Sequence, residues 1–254
     1  MHIARVALRV SELDRSIDWY GRVAGLSLRE RDGTQATMGA PDGGPILLEL
    51  REAERPGIAP RQAAGLFHTA FLYSTRAQLG SALERAIQGR ESLTGASDHA
   101  VSEALYFYDP DGIGVELYRD RPREEWPPPR AGDKVFMVTE PLDAEGVLAD
   151  ADGDLPDAAA GVVVGHVHLK VADVEQAVAF WTQEVGMELM ARYGADAAFI
   201  ADEGYHHHVG ANSWHSRGAA LEPRDGPGLD GVVLAGAPAR ALTTPDGVEI
   251  AFEH

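Results

Sequence analysis

The chain has 254 residues, enough for one large domain or two ordinary domains with a buried core. Its 40 acidic residues against 22 basic residues give a formal net charge of −18, which argues against nucleic acid or an anionic membrane as a partner because both need a cationic surface. Cysteine is absent, which excludes disulfides, thiolate metal sites and cysteine nucleophiles. Without a signal-peptide pattern or a membrane-spanning apolar run, a cytoplasmic protein is expected.

The first predicted unit is a strand, a helix and three further strands. Apolar residues spaced near 3.6, namely Leu13, Ile17 and Tyr20, predict the helix, and Gly25 is expected to end it. The strands that follow are predicted at residues 26–30, 36–38 and 46–50.

A second unit begins with a strand at Phe67 and continues through a helix predicted near Arg76 to Gln88. Its last two strands, residues 104–108 and 115–118, flank a turn sequence, Asp-Pro-Asp-Gly. Because side chains alternate along a strand, Tyr106 and Glu116 are expected to face a common cavity.

The third unit repeats the first, since residues 8–28 align without a gap onto residues 169–189. Val174, Val178 and Trp181 predict its helix, and Gly186 is expected to end it. Three strands are predicted after the helix, at residues 187–193, 197–201 and 206–211.

The tripeptide Pro-Asp-Gly occurs three times, each time shortly before a strand that carries a glutamate, Glu49, Glu116 or Glu249. The third occurrence marks a fourth unit, which looks shortened because too few residues precede it to form a helix. We therefore predict an α+β protein of four βαβββ modules, divided into module 1 (1–53), module 2 (65–120), a connector (121–160), module 3 (161–215) and a shortened module 4 (228–254).

The ten histidines are concentrated near the predicted strands, which suggests a metal site. His68 and His166 hold corresponding places in the first strands of modules 2 and 3. If those modules pack as a pseudo-symmetric pair, the two imidazoles meet and Glu116 completes a facial triad. This arrangement leaves coordination positions open and is typical of non-haem Fe(II), while Mn(II) also fits.

The four-module pattern resembles the vicinal oxygen chelate superfamily. The segment from residue 99 to residue 116 is similar to the signature of extradiol, catechol 2,3-dioxygenase-like ring-cleaving dioxygenases. The residues that carry this similarity are His99, Leu105, Tyr106, Asp109, Pro110, Gly112 and Glu116.

The resemblance implies two paired, curved-sheet domains and meta cleavage of a catechol, a small aromatic diol, by O2. It makes His68, His166 and Glu116 the ligands of Fe(II), with Mn(II) possible. The residues that it makes catalytic are His99, Tyr106 and one histidine of the run 206–208, with His207 favoured as the base and His208 left open. Alternation along a strand would put His206 and His208 on the opposite face from His207.

The chain departs from the family pattern in two ways. Arg5 occupies the ligand-equivalent place in module 1, and module 4 has no corresponding histidine, so these two modules are expected to form a metal-free half. His168 and His215 are expected to have no direct role. Exposed sheet edges around module 4 are compatible with a homo-oligomer.

Two alternative functions remain at this point. One is a metal-dependent isomerase or lyase of the glyoxalase kind, which would use a fourth ligand, ideally a glutamate, on the last strand of module 3. The other is a ligand-binding or resistance protein without redox chemistry, for which His99 and Tyr106 would not be needed.

Overall fold

The computed structural model describes residues 1–152 and 159–254. Its strands and helices follow the four predicted modules in chain order. Module 1 contains β1 (His2–Val10), α1 (Leu13–Ala24), β2 (Ser27–Asp32), β3 (Gln35–Gly39) and β4 (Ile46–Glu52). Module 2 contains β5 (Gly65–Tyr73), α2 (Arg76–Gln88), β6 (Gly95–Asp98), β7 (Ser102–Tyr108) and β8 (Gly114–Asp120).

The connector contains a 3-10 turn (Arg123–Glu125), β9 (Glu140–Pro141) and α3 (Ala144–Ala149). Module 3 contains β10 (Val163–Lys170), α4 (Val174–Ala179) with a π-helical continuation (Phe180–Val185), β11 (Glu188–Tyr193), β12 (Ala197–Ala201) and β13 (Val209–Asn212). Module 4 contains β14 (Gly228–Ala235), β15 (Arg240–Thr243) and β16 (Glu249–Glu253), with no helix among them in this described part of the chain.

The helix boundaries agree with the sequence signals. Helix α2 has the predicted bounds, and the helical segments of modules 1 and 3 end at Gly25 and Gly186, which adopt φ of +68° and +94°. Glycine favours this left-handed conformation because it lacks a Cβ. At the start of α4, the Asp173 side chain accepts hydrogen bonds from the backbone N–H groups of Glu175 and Gln176 and so caps the helix.

The modules pair in two sheets. Modules 1 and 4 form a seven-stranded sheet in the order β15-β16-β14-β1-β4-β3-β2. Modules 2 and 3, with β9, form a nine-stranded sheet in the order β11-β12-β13-β10-β5-β8-β7-β6-β9. In each sheet the first strands of the two modules run antiparallel side by side, β1 with β14 and β5 with β10. The predicted pairing of modules 2 and 3 therefore brings their first strands into contact.

One continuous apolar core joins the two sheets and the helices between them. Tyr20 of α1 packs edge to face against Phe71 of β5, with ring centroids 6.4 Å apart. The Tyr73 hydroxyl of the same strand donates a hydrogen bond to the carbonyl of Ala24 (2.9 Å). Burial of these aromatic side chains holds module 1 against module 2.

A buried charge cluster lies where the first strands of all four modules meet. The cations Arg9 and Lys170, equivalent in the repeat, are paired in register with Gly228 and Gly65. The Glu222 carboxylate is 3.6 Å from Arg9 Nη2 and is buried against both glycines, where a Cβ would overlap it. Burial raises the pKa of Glu222 and lowers that of Lys170, and their opposite charges offset part of both shifts.

The described residues of the connector have little regular structure, as predicted, but the short elements that they do form pack on module 2. Strand β9 extends the nine-stranded sheet at β6, a strand that the sequence pattern did not predict, and α3 packs on α2. The connector prediction also covers residues 153–158, which lie outside the described residues. None of the helices in the described ranges is long and apolar enough to cross a membrane.

Candidate active site

Two imidazoles and one carboxylate meet in the centre of the nine-stranded sheet. The Nε2 atoms of His68 and His166 lie 2.9 Å and 3.2 Å from the same oxygen, Oε2 of Glu116. All three residues are buried. Ligands roughly 2.1 Å from one ion and at right angles to each other lie roughly 3 Å apart, so these spacings fit three neighbouring positions around a metal.

The strand register explains why these three side chains meet. Ala70 on β5 is paired with His166 on β10 at one side and with Glu116 on β8 at the other. His68 lies two residues before Ala70 and therefore projects from the same face of β5. The small Ala70 side chain leaves the space between the three larger groups free.

The protonation states also suit a cation. Burial lowers the pKa of His166 to about 4, so its imidazole is neutral at pH 7. Although burial opposes its ionisation, the adjacent His166 and His68 hold the pKa of Glu116 well below its usual range. His68 Nε2 is buried and has no correctly oriented hydrogen-bond partner among the described residues. A borderline divalent ion such as Fe(II) or Mn(II) fits this set of two imidazoles and one carboxylate.

His99 and Tyr106 form a hydrogen-bonded pair beside the cluster. His99 Nδ1 lies 2.6 Å from the carbonyl oxygen of Val138, which only accepts, so Nδ1 carries a proton. His99 Nε2 lies 2.7 Å from the Tyr106 hydroxyl. Burial and the nearby Glu116 carboxylate raise the pKa of Tyr106 well above its usual value, which keeps the phenol protonated. Tyr106 is directly opposite Glu116 in the β7–β8 pair, as the alternation predicted.

The histidine run 206–208 is not part of a strand, because β13 begins only at Val209. The expected alternation of strand faces therefore does not apply to this run. The three side chains nevertheless have different surroundings. His207 lines the cavity, with its ring centroid 4.0 Å from that of His166. His208 instead accepts a hydrogen bond at Nδ1 from the backbone N–H of Asp202 (3.2 Å).

His206 is fully buried and connects His207 to an acidic residue. Its Nε2 lies 2.8 Å from Oδ1 of Asp120, and its Nδ1 lies 2.7 Å from Nδ1 of His207. If His206 is neutral, the carboxylate fixes the proton on its Nε2, so its Nδ1 accepts from His207 Nδ1–H. His207 Nε2 is then left with a lone pair. Asp120 was not among the predicted site residues, although it follows Glu116 by four residues and so shares its strand face.

A cavity of about 530 Å³ opens beside the cluster. His68, Glu116, His99, Tyr106 and His207 all line it. Connector residues 137–139 cover part of it, which the sequence pattern gave no reason to expect. Of the aromatic residues that could wall a substrate ring, Phe107 and Trp214 line the cavity, whereas Tyr205 bonds to Asp120 (2.9 Å).

His168, for which no direct role was expected, also lines the cavity. It is 4% exposed, and burial lowers its pKa well below the usual value, so the imidazole is neutral. Its pairing with His68 across β10 and β5 places it next to the cluster. The two-residue spacing from His166 was the available sequence signal, because it puts both histidines on one strand face. His215 is exposed and lies outside the cavity lining.

Comparison with known proteins identifies the family. The model of the Glyoxalase/Bleomycin resistance protein/Dioxygenase superfamily matches residues 2–117. The chain is 40% identical over 235 residues to a Catechol-2,3-dioxygenase of Bacillus subtilis (strain 168), covering 90% of this chain and 80% of that protein. It is 32% identical over 136 residues to Biphenyl-2,3-diol 1,2-dioxygenase 2 of Rhodococcus globerulus, covering 46% of this chain and 62% of that protein.

Solved structures agree on the fold. Glyoxalase I from Zea mays superimposes with a TM-score of 0.56 at 16% identity, covering 99% of this chain and 91% of that chain. A structure from Bacillus subtilis subsp. subtilis str. 168 gives a TM-score of 0.63 at 14% identity, covering 99% and 85%. These likenesses confirm the predicted fold, and the 40% identity to a dioxygenase over most of the chain decides the class of enzyme. The chain belongs to the Glyoxalase/Bleomycin resistance protein/Dioxygenase superfamily and is a dioxygenase within it.

Proposed function

We propose that the protein is an extradiol dioxygenase that cleaves the ring of a catechol with O2, using Fe(II) or Mn(II) held by His68, His166 and Glu116. The observation that carries the proposal is the buried cluster of two imidazoles and one carboxylate. It opens on a cavity lined by further side chains that can donate or accept a proton. The 40% identity to a Catechol-2,3-dioxygenase over 90% of the chain supports this substrate class.

The metal, when bound, supplies open coordination positions at which the diol and O2 are held in contact. His207 is the base for a substrate hydroxyl proton. Its Nδ1–H bond to His206 leaves Nε2 as the acceptor, and Asp120 holds His206 in the matching tautomer.

Tyr106 is the member of the pair that contacts the reacting oxygen atoms, because both ring nitrogens of His99 are already bonded, one to the Val138 carbonyl and one to the Tyr106 hydroxyl. The Tyr106 hydroxyl stays protonated at neutral pH and is oriented by His99 Nε2, while the Val138 carbonyl fixes the His99 ring. Aromatic residues of the wall, among them Phe67 and Trp214, exclude water from the substrate ring.

The glyoxalase-type alternative is disfavoured. An isomerase of this kind would use a fourth ligand on the last strand of module 3, ideally a carboxylate. Among the described residues, the candidate metal-binding group contains only the two histidines and Glu116. The residues next to that strand are histidines, of which His207 is bonded to His206.

The test is turnover by anaerobically purified protein loaded with Fe(II) or, separately, Mn(II). Mixing with catechol and O2 is expected to consume one O2 per ring and to form the yellow 2-hydroxymuconic semialdehyde. Both atoms of ¹⁸O2 are expected in the product. Failure to turn over any of several catechols by protein shown to contain the metal would contradict the proposal.

A further inference from the structure

His168 is a polar group within an aromatic part of the cavity wall. Its ring centroid lies 5.2 Å from that of Phe67, 5.7 Å from that of Trp214 and 6.0 Å from that of Phe199. The repeat does not require a histidine here, since Ala7 holds the corresponding place in module 1, one residue before the gapless alignment begins. The imidazole is therefore a feature of this cavity rather than of the fold.

The His168 ring is fixed in place, but its Nε2 atom lacks a hydrogen-bond partner among the described residues. It lies flat against Gly210 of β13, where a Cβ would come within 2.7 Å to 2.9 Å of three ring atoms. Its Nε2 is buried, and no described residue hydrogen-bonds to it. A buried polar atom without a partner costs free energy, so such atoms generally receive one from water or from a ligand.

Its position indicates which part of a substrate it meets. The His168 ring lies 5.0 Å from His68 at the cluster and 5.7 Å from Trp214, which is 42% exposed at the cavity mouth. A substituent that extends from a ring bound at the cluster toward Trp214 would pass beside His168. The space is sufficient, because a cavity of about 150 Å³ already holds benzene and this one measures about 530 Å³.

The charges around the cavity restrict that substituent. Neither lysine nor arginine is among the described residues that line it. A carboxylate on the substrate would lose its hydration without gaining a cation beyond the metal. A neutral hydroxyl or carbonyl group would instead be able to form a hydrogen bond with the unpartnered imidazole of His168.

We infer that His168 is a specificity-determining residue that selects catechols carrying a neutral hydrogen-bonding substituent over catechols carrying an alkyl group or a carboxylate. This inference rests on the proposed function. It adds a preference among catechols that the metal cluster cannot provide, because the cluster contacts only the two ring hydroxyls.

The test is anaerobic calorimetric binding to Fe(II)-loaded protein, in which the absence of O2 prevents turnover. The probes are catechol, 3,4-dihydroxybenzoate, and the hydroxymethyl and methyl catechols substituted at position 3 or 4. We expect wild-type protein to bind one hydroxymethyl catechol about tenfold more tightly than the matching methyl catechol, as a single buried hydrogen bond allows. The carboxylate compound is expected to bind more weakly than either.

Two variants of equal metal content separate the hydrogen bond from the shape of the side chain. His168→Phe keeps an aromatic ring and is expected to lose the preference while binding catechol itself as before. His168→Gln keeps an amide nitrogen near the position of Nε2 and is expected to retain a preference. If wild-type protein shows no preference in either pair, or His168→Phe keeps it, the inference is overturned.

A third result is equally decisive. If His168→Phe weakens all catechols by one factor, His168 contacts the ring hydroxyls and not the substituent, and the inference is wrong while the proposed function stands. If wild-type protein with bound metal fails to bind catechol at all, the proposed function fails and the inference with it.

Discussion

The two sheets have the same module architecture, but different residues lie at their centres. Ala7 is paired with Glu49 across β1 and β4, as Ala70 is paired with Glu116 across β5 and β8. Two residues before these alanines stand Arg5 in the seven-stranded sheet and a histidine in the nine-stranded sheet.

Arg5 neutralises its sheet's carboxylates directly. Its Nε donates to Glu49 (2.6 Å) and its Nη1 donates to Glu253 (2.8 Å). In the nine-stranded sheet the Glu116 carboxylate lies against the imidazoles of His68 and His166, and neither lysine nor arginine is among the described residues that line its cavity. The comparison shows that the fold needs no metal at its centre, and that one strand position decides whether a glutamate is paired by protein or remains available for an ion.

The largest expected difference between the sheets concerns metal binding. Glu116→Gln removes the only anionic ligand, and we expect metal affinity to fall by more than about a hundredfold, the upper end of what loss of a supporting partner causes. Glu49→Gln, the matched change in the other sheet, is expected to leave metal content unchanged. Metal titration of both variants measures this, and equal losses would remove the distinction between the sheets.

The second difference concerns pH. Asp109 and Thr244 occupy the same place in two equivalent turns, where each side chain accepts a hydrogen bond from the backbone N–H four residues on. Burial raises the pKa of Asp109 to about 7, despite hydrogen bonds that favour ionisation. Because the pKa of Asp109 is higher in the folded protein than in the unfolded chain, where it is near 4, its protonated carboxyl stabilises the fold at lower pH. This contribution is lost as the pH rises to about 7.

In the wild-type protein this titration is expected to lower the free energy of unfolding by roughly 4 kcal/mol between about pH 4 and pH 7. Asp109→Asn is expected to abolish that decrease. Urea unfolding at several pH values measures the slope. Thr244→Val, in the sheet without an ionisable residue at this position, should shift stability equally at every pH. An unchanged slope in Asp109→Asn would contradict the assignment.

The third prediction concerns the junction of the sheets. Glu222→Gln removes the buried negative charge beside Arg9 and Lys170, and we expect a loss of about 2–3 kcal/mol in the free energy of unfolding. Arg9 keeps its ion pair with Asp230 (3.0 Å), and Lys170 keeps its hydrogen bond to the Pro60 carbonyl (2.6 Å). This expected loss is at the low end of what breaking a buried ion pair usually causes, because burial already opposes ionisation of Glu222. Denaturant unfolding measures it, with the exposed Glu249→Gln as the control. A loss no greater than that of the control would show that the cluster does not hold the sheets together.

The smallest effect is expected at the centre of the seven-stranded sheet. Arg5→Met removes two ion pairs whose side chains are 28% to 43% exposed, so solvent screening limits the loss to about 1 kcal/mol or less. Thermal unfolding measures this change. A much larger loss would show that the ion pairs of Arg5 stabilise the seven-stranded sheet strongly despite their partial exposure.

Much of the fold could be predicted because its signals are local. The helix stripes, the terminating glycines and the Pro-Asp-Gly turns each act within a few residues, and the duplication fixed which strands correspond. That Tyr106 and Glu116 face each other followed from the alternation of side chains along a strand and from the short turn between the two strands. Placing His68 beside His166 needed one further assumption, the pairing of modules 2 and 3, which the strand order bears out.

The remaining features depend on contacts between distant segments. Strand β6 has the sequence Gly-Ala-Ser-Asp and forms through its pairing with β7 and β9, not through strand propensity. The histidine run looked like a continuation of β13, but its side chains bond to Asp120 and Asp202. His168 looked like an ordinary strand residue because its aromatic neighbours come from other strands and loops.

The order of the strands has a consequence for biosynthesis. The nine-stranded sheet draws its strands from one continuous stretch, residues 65–212, whereas the seven-stranded sheet joins β1 to β14 across more than 200 residues. A growing chain can therefore assemble the histidine-bearing sheet while β1 still lacks its neighbour. Pairing over such a separation is intrinsically slow. Until module 4 leaves the ribosome, the edge of β1 that later pairs with β14 stays open to other chains, so a late module protects an early strand.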